Sequence, residues 1–112
     1  MRIALPVVAG KVSPHFGHPE FFALFEADAE AKTLGARLEV DSPPHQPGLL
    51  PSWLAEQGAN VVLAGGMGNR AVQLLEEHGI TVVLGCPDAS PEEVAQAWLD
   101  GTLSASGNAC DH

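Results

Sequence analysis

A chain of 112 residues suits one domain with one core, and 46% hydrophobic against 17% charged residues is a globular composition, not a disordered one. Fourteen acidic against five basic side chains leave a formal net charge of −9, which argues against a nucleic-acid partner, since phosphate neutralisation needs a Lys/Arg surface. No apolar run approaches the ~20 residues that span a bilayer, and Ile3–Val8 is too short and too early for a signal peptide. The chain therefore reads as soluble and cytoplasmic, without a membrane partner, and Cys86 and Cys110 read as thiols.

Arg2–Val8 predicts a first strand, in which Pro6 demands a bulge or a side with no ladder donor. Residues 9–20 predict a loop holding His15, Phe16, Gly17 and His18. Phe21–Asp28 and Thr33–Val40 predict an antiparallel hairpin across a short polar turn. In its second arm Leu34, Ala36, Leu38 and Val40 alternate with polar residues. Residues 41–48 form a Pro-rich loop with His45. Leu49–Gln57 predicts a helix stopped by Gly58.

Val61–Ala64 reads as a buried central strand that ends in Gly65, Gly66 and Gly68. A second helix follows over Asn69–His78, with Gly79 at its end. Ile80–Leu84 predicts the last strand. Ser90-Pro91-Glu92-Glu93 caps a third helix that ends at Gly101. Thr102–His112 reads as a polar, mobile tail on a single domain over residues 1–101. Trp53 and Trp98 fall on apolar helical stripes as core anchors, and His78 sits at a helix C-terminus, where the dipole favours it.

The predicted class is thus α/β, a five-stranded mixed sheet in the order 3-2-1-4-5 with three helices and strand 2 antiparallel. Four strands then point the same way, and their carboxyl ends share one sheet edge, where open α/β sheets bind ligands. Topology collects His15, His18, His45, Cys86 and the glycine turn there. Glycines leave N–H groups unshielded, and a helix N-terminus favours anions. The turn nevertheless matches neither a phosphate loop nor a dinucleotide fingerprint.

Imidazoles suit transition metals and anionic sulfur or oxygen. His15 and His18, three apart in a loop, can face one ligand or simply decorate a surface. His45 sits in a proline-stiffened loop that also just joins two elements. Cys86 reads as a packing residue or, as thiolate, a soft-metal ligand. Cys110-Asp111-His112 is a tail set that chelates promiscuously. Paired carboxylates and a nucleophile turn for Ser13 are both missing, so the chain does not read as an enzyme.

Ser13-Pro14-His15-Phe16-Gly17-His18-Pro19, Val61-Val62-Leu63-Ala64-Gly65-Gly66-Met67-Gly68 and Gly79-Ile80-Thr81-Val82 together resemble the dinitrogenase iron-molybdenum cofactor-binding family. Its patterns are Ser-x-His-Phe-Gly-Arg-Ala, Val-x-Ala-Gly-Gly-(Ile/Met)-Gly and Gly-Ile-x-Val. The resemblance runs from Arg2 to about Gly101. It implies a ribonuclease H-like three-layer fold without nuclease acids. It also implies non-catalytic carriage of an anionic metal–sulfur cluster, as in nitrogenase cofactor carriers and in small molybdenum–copper sulfide proteins of anaerobes.

The implied cofactor is a molybdenum-containing cluster of Mo–Cu sulfide or Fe–Mo type. Its partner would be a protein that donates or accepts the cluster. The implied site comprises His15, Phe16, Gly17, Gly65, Gly66, Met67, Gly68, Asn69 and Arg70, with His15, His18, His45 and Cys86 as metal candidates. His18 departs from the family pattern, which has Arg there. Two other readings share the rim: a sensor or enzyme for a small anion, and a protein-docking module with no ligand.

Overall fold

The computed structural model describes residues 1–16, 19–43 and 49–103. The elements are β1 (Arg2–Val8), β2 (Lys11–Val12), β3 (Phe21–Asp28), β4 (Thr33–Asp41), α1 (Leu49–Glu56), β5 (Val61–Leu63), α2 (Asn69–Glu77), β6 (Thr81–Val83) and α3 (Pro91–Asp100). The sheet runs β4-β3-β1-β5-β6, with β2 paired to β1 off this path. β3 is antiparallel to both neighbours, whereas β1, β5 and β6 are parallel. Among the described residues no helix is long and apolar enough to cross a membrane.

Strand alternation sorts the core into two layers. Ile3, Leu5, Val7, Ala23, Phe25 and Leu63 pack with Val94, Ala95 and Leu99 of α3. Ala4, Phe22, Leu24 and Val62 pack on the other face with Leu54 of α1 and Leu75 of α2. Trp53 stands 5.4 Å from Phe22 between ring centroids, and Phe22 meets Phe16 edge-on at 5.9 Å. The rings thus tie α1 and the loop after β2 to one sheet face.

The sheet has six strands, not five. Ala9 and Gly10 both adopt left-handed backbone, at φ 54° and 79°, which is the pattern of a two-residue hairpin turn. Val8 pairs with Lys11 and Val7 with Val12 across it. Alanine rarely takes that conformation, so the sequence offers no turn signal there.

β4 also departs from simple alternation. The register shifts by a bulge between Phe25 and Ala27, opposite Gly35 and Ala36. A Cβ on Gly35 would stand 3.0 Å from the Glu26 carbonyl oxygen. The bulge turns Leu34 to the α3 face, where it packs on that core, while Val40 packs on the other. Ala36 and Leu38 are left exposed. Thr102 and Leu103, expected as the start of the tail, are held to the body: the Thr102 N–H donates to the Ala97 carbonyl and Leu103 packs on the α3 core. The remainder of that tail, 104–112, lies outside the described residues.

Arg37 joins the edge strand to α3. Its guanidinium meets Glu39 at 2.8 Å and Glu92 at 3.0 Å, and lies 5.6 Å above the Phe21 ring. These contacts are partly solvated, so screening reduces each ion pair to well under 1 kcal/mol. We expect Arg37→Leu to lower unfolding stability by about 1 kcal/mol, ion pairs and ring contact together. Urea denaturation of the variant at low and high salt checks this, and the deficit should shrink in salt.

Candidate functional site

The carboxyl ends of β1, β4, β5 and β6 share one edge of the sheet, and two loops there are locked together. β1 pairs with β5 only at Ile3–Val61 and Ala4–Val62. Beyond Ala4 the two strands part, and the segment after β2 enters the gap. The Ser13 N–H donates to the Pro6 carbonyl at 2.8 Å, and the Gly65 N–H donates to the Ser13 carbonyl at 3.2 Å. The N–H and C=O of one extended residue point to the same side. Pro6 therefore lacks its donor where β1 leaves β5, at no loss to the β1–β3 ladder.

Gly65 makes this insertion possible. A Cβ there would meet the Pro14 Cα at 2.8 Å and the Ser13 carbonyl oxygen at 3.0 Å, both backbone atoms. Its carbonyl accepts the Gly85 N–H at 2.9 Å, and the Ala64 carbonyl accepts the Cys86 N–H at 3.1 Å. The Phe16 N–H donates to the Gly66 carbonyl at 3.1 Å. The turn is therefore clamped from both sides, and the Gly65 amide that sequence reasoning left bare is already bonded.

Gly68 has a different character. It is the N-cap of α2 at φ −68°, with no side-chain capping bond and no acidic residue in the first turn. A Cβ on it would meet nothing within 4 Å. Neither backbone angle nor packing demands glycine here. The result is a helix N-terminus with open approach and no residue of its own neutralising its dipole. Gly68, Asn69 and Arg70 are exposed beside it, and His15 is exposed on the clamped loop.

The remaining candidates are buried or lie outside the described residues. Phe16 and Met67 are buried in the α1/α2 core, so their side chains shape the turn from beneath. Cys86, 8% exposed, packs in the α3 core, and its thiol donates weakly to the Val83 carbonyl at 3.7 Å. Burial pushes that thiol from its ordinary 9.0 up to about 11, outweighing the Ala64 backbone hydrogen bond that lowers it. In the metal-free chain Cys86 is thus a packed thiol, the first of the two readings its sequence position allows.

Gly17, His18 and His45 lie outside the described residues. Among the described residues no three His, Cys, Asp or Glu side chains gather so as to hold a metal ion. His78 caps α2 on the far edge, its Nδ1 2.7 Å from the Leu74 carbonyl. A cleft of about 530 Å³ along α3 is lined by Glu92, Glu93 and Asp100, the wrong charge for an anion. Sequence reasoning missed the buried hydroxyl of Ser13, because only the fold shows what it touches.

Two outcomes follow. Gly65→Ala should cost about 1–3 kcal/mol in urea denaturation, because rigid backbone must give way to the methyl group. Cys86 holds its proton more tightly folded than unfolded. Its contribution is therefore intact below pH 9 and is lost as pH rises through about 9 to 11. A Cys86→Ala variant should show a flatter stability curve over that window by chemical denaturation.

The sequence profile of the dinitrogenase iron-molybdenum cofactor family matches residues 1–101. Among solved structures, PH0822 is similar at TM-score 0.88 and 28% identity, covering 100% of both chains. The apo form of the orange protein (ORP) from Desulfovibrio gigas is similar at TM-score 0.74 and 29% identity, covering 96% of this chain and 93% of that one. A protein from Methanocaldococcus jannaschii, at TM-score 0.75 and 13% identity over 96% of each chain, shares the fold alone. No curated protein matches the chain in sequence. With its Ser-Pro-His-Phe loop clamped on its glycine turn and a profile match over nearly its whole length, this chain belongs to the dinitrogenase iron-molybdenum cofactor family.

Proposed function

We propose that the chain binds and carries an anionic metal–sulfur cluster containing molybdenum, of Mo–Cu sulfide or Fe–Mo type, without catalysing a reaction on it. The observation that carries this reading is the pair of backbone hydrogen bonds, Gly65 to Ser13 and Phe16 to Gly66, that hold the His15 loop against the turn from which α2 starts. In this reading His15 ligates or donates a hydrogen bond. The Gly68–Arg70 end of α2 receives sulfide or oxyanion edges, and Gly65, Gly66, Met67 and Phe16 shape the mouth, with Gly17 and His18 adjoining in sequence. The similarity to the orange protein, together with the family, favours a cluster as cargo over a small metabolite. We further read the fold as ribonuclease H-like, and a protein donor or acceptor of the cluster as the partner.

Net charge does not oppose this. The chain carries a formal −9, yet salt screens charges beyond about 8 Å in cell-like conditions, so local donors decide. Lys11 is engaged by Asp88 at 4.0 Å, whereas Arg70 has no ion pair among the described residues and stands in the first turn of α2.

Anaerobic reconstitution with molybdate, copper(I) or iron, plus sulfide, tests the reading by metal analysis and visible absorption. Wild type should acquire a visible band, and His15→Ala should lose most of it. Gly68→Asp separates binding from folding. A capping carboxylate should stabilise α2 by a few tenths of a kcal/mol relative to glycine. The same charge should weaken cluster uptake about tenfold, about 1.4 kcal/mol, by occupying the anion's place. A colourless protein that retains no metal would instead support a small-anion sensor or a docking module.

A further inference from the structure

Ser13 is a buried polar side chain, 2% exposed, at the point where the two loops cross. A buried hydroxyl is costly unless it is hydrogen-bonded, and an alanine would fill the same space without that cost. Here both bonds go to one residue. The Ser13 hydroxyl donates to the His15 carbonyl at 2.6 Å and accepts the His15 N–H at 3.1 Å. Its own backbone is fixed in turn, N–H to Pro6 and C=O from Gly65. The residue after His15 is fixed as well, by the Phe16 N–H on Gly66. His15 itself is exposed. Its main-chain N–H and C=O are thus both bonded by a hydroxyl bolted to the glycine turn.

We infer that Ser13 is a positioning residue for His15, presetting the backbone from which the imidazole meets the cargo. The inference rests on the reading of His15 given above. A ligand residue held in place before binding spares the complex the ordering of its loop, and loss of such an outer partner typically weakens metal affinity 10–100-fold. Ser13 touches no cargo in this scheme; it acts through His15 alone.

The test compares wild type, Ser13→Ala and Ser13→Thr in two ways. In the apo protein, amide hydrogen exchange at His15 should quicken about tenfold in Ser13→Ala while the Leu63 amide in the core keeps its protection. After anaerobic reconstitution with molybdate, copper(I) and sulfide, Ser13→Ala should bind about tenfold more weakly, with a shifted or broadened visible band. Ser13→Thr, which keeps the hydroxyl, should restore exchange, affinity and band together. The inference is overturned if Ser13→Ala binds with wild-type affinity and spectrum, or if Ser13→Thr fails as Ser13→Ala does. If wild type itself takes up no cluster, the cargo reading falls first and this inference with it. Wild-type uptake with an indifferent Ser13→Ala overturns the inference alone.

Discussion

The carboxyl edge of this protein depends on one missing side chain. Gly65 lets the Ser13–Pro14 backbone lie where any other residue would place a Cβ within 2.8 Å of it. That contact lets Ser13 bridge β1 and the end of β5 after the two strands part. Pro6 fits because its absent N–H falls in the gap, and the β2 hairpin fits because the gap leaves β1 a free side. Steric room, not hydrogen-bond strength, is the governing term: each backbone bond contributes only about 1 kcal/mol net, whereas rigid backbone overlap has no cheap relief.

The three glycines of the turn thus do different things. Gly65 is a packing residue with its amide spent on Ser13. Gly66 is buried and offers its carbonyl to Phe16. Gly68 answers to no steric demand and leaves the start of α2 uncapped and open. In the function proposed above, that open end receives the cargo beside the exposed His15. The acidic groove along α3 belongs to another part of the surface, and its charge makes it a poor seat for an anion.

Much of this architecture was legible residue by residue. The Phe-rich strand, the short turn to Thr33 and the apolar runs at Val61 and Ile80 announced an antiparallel pair beside parallel strands, because a short connection forces antiparallel pairing and a helix permits a crossover. Ser90 and Pro91 announced α3, and the Ser90 hydroxyl does accept the Glu93 N–H at 3.2 Å. The β2 hairpin was not legible, since its turn uses Ala9 where Asn or Asp would signal it. Nor was the bulge opposite Glu26, which breaks the period-two pattern that Leu34 to Val40 displays in sequence.

For the site, sequence alone placed His15, the glycine turn and Cys86 in loops at the carboxyl edge, because strand direction follows from connection length and composition. It also carried the family, through motifs whose order and spacing survive without coordinates. Only the tertiary structure decided which of those residues are exposed and which are spent. The Gly65 amide, the Met67 and Phe16 side chains and the Cys86 thiol all carry suitable chemistry in a string of letters. In the fold the Gly65 amide is bonded to Ser13, and the other three groups are buried among residues distant in sequence. Such commitments are made across the sheet, where neighbours in space are strangers in sequence, and no local pattern records them.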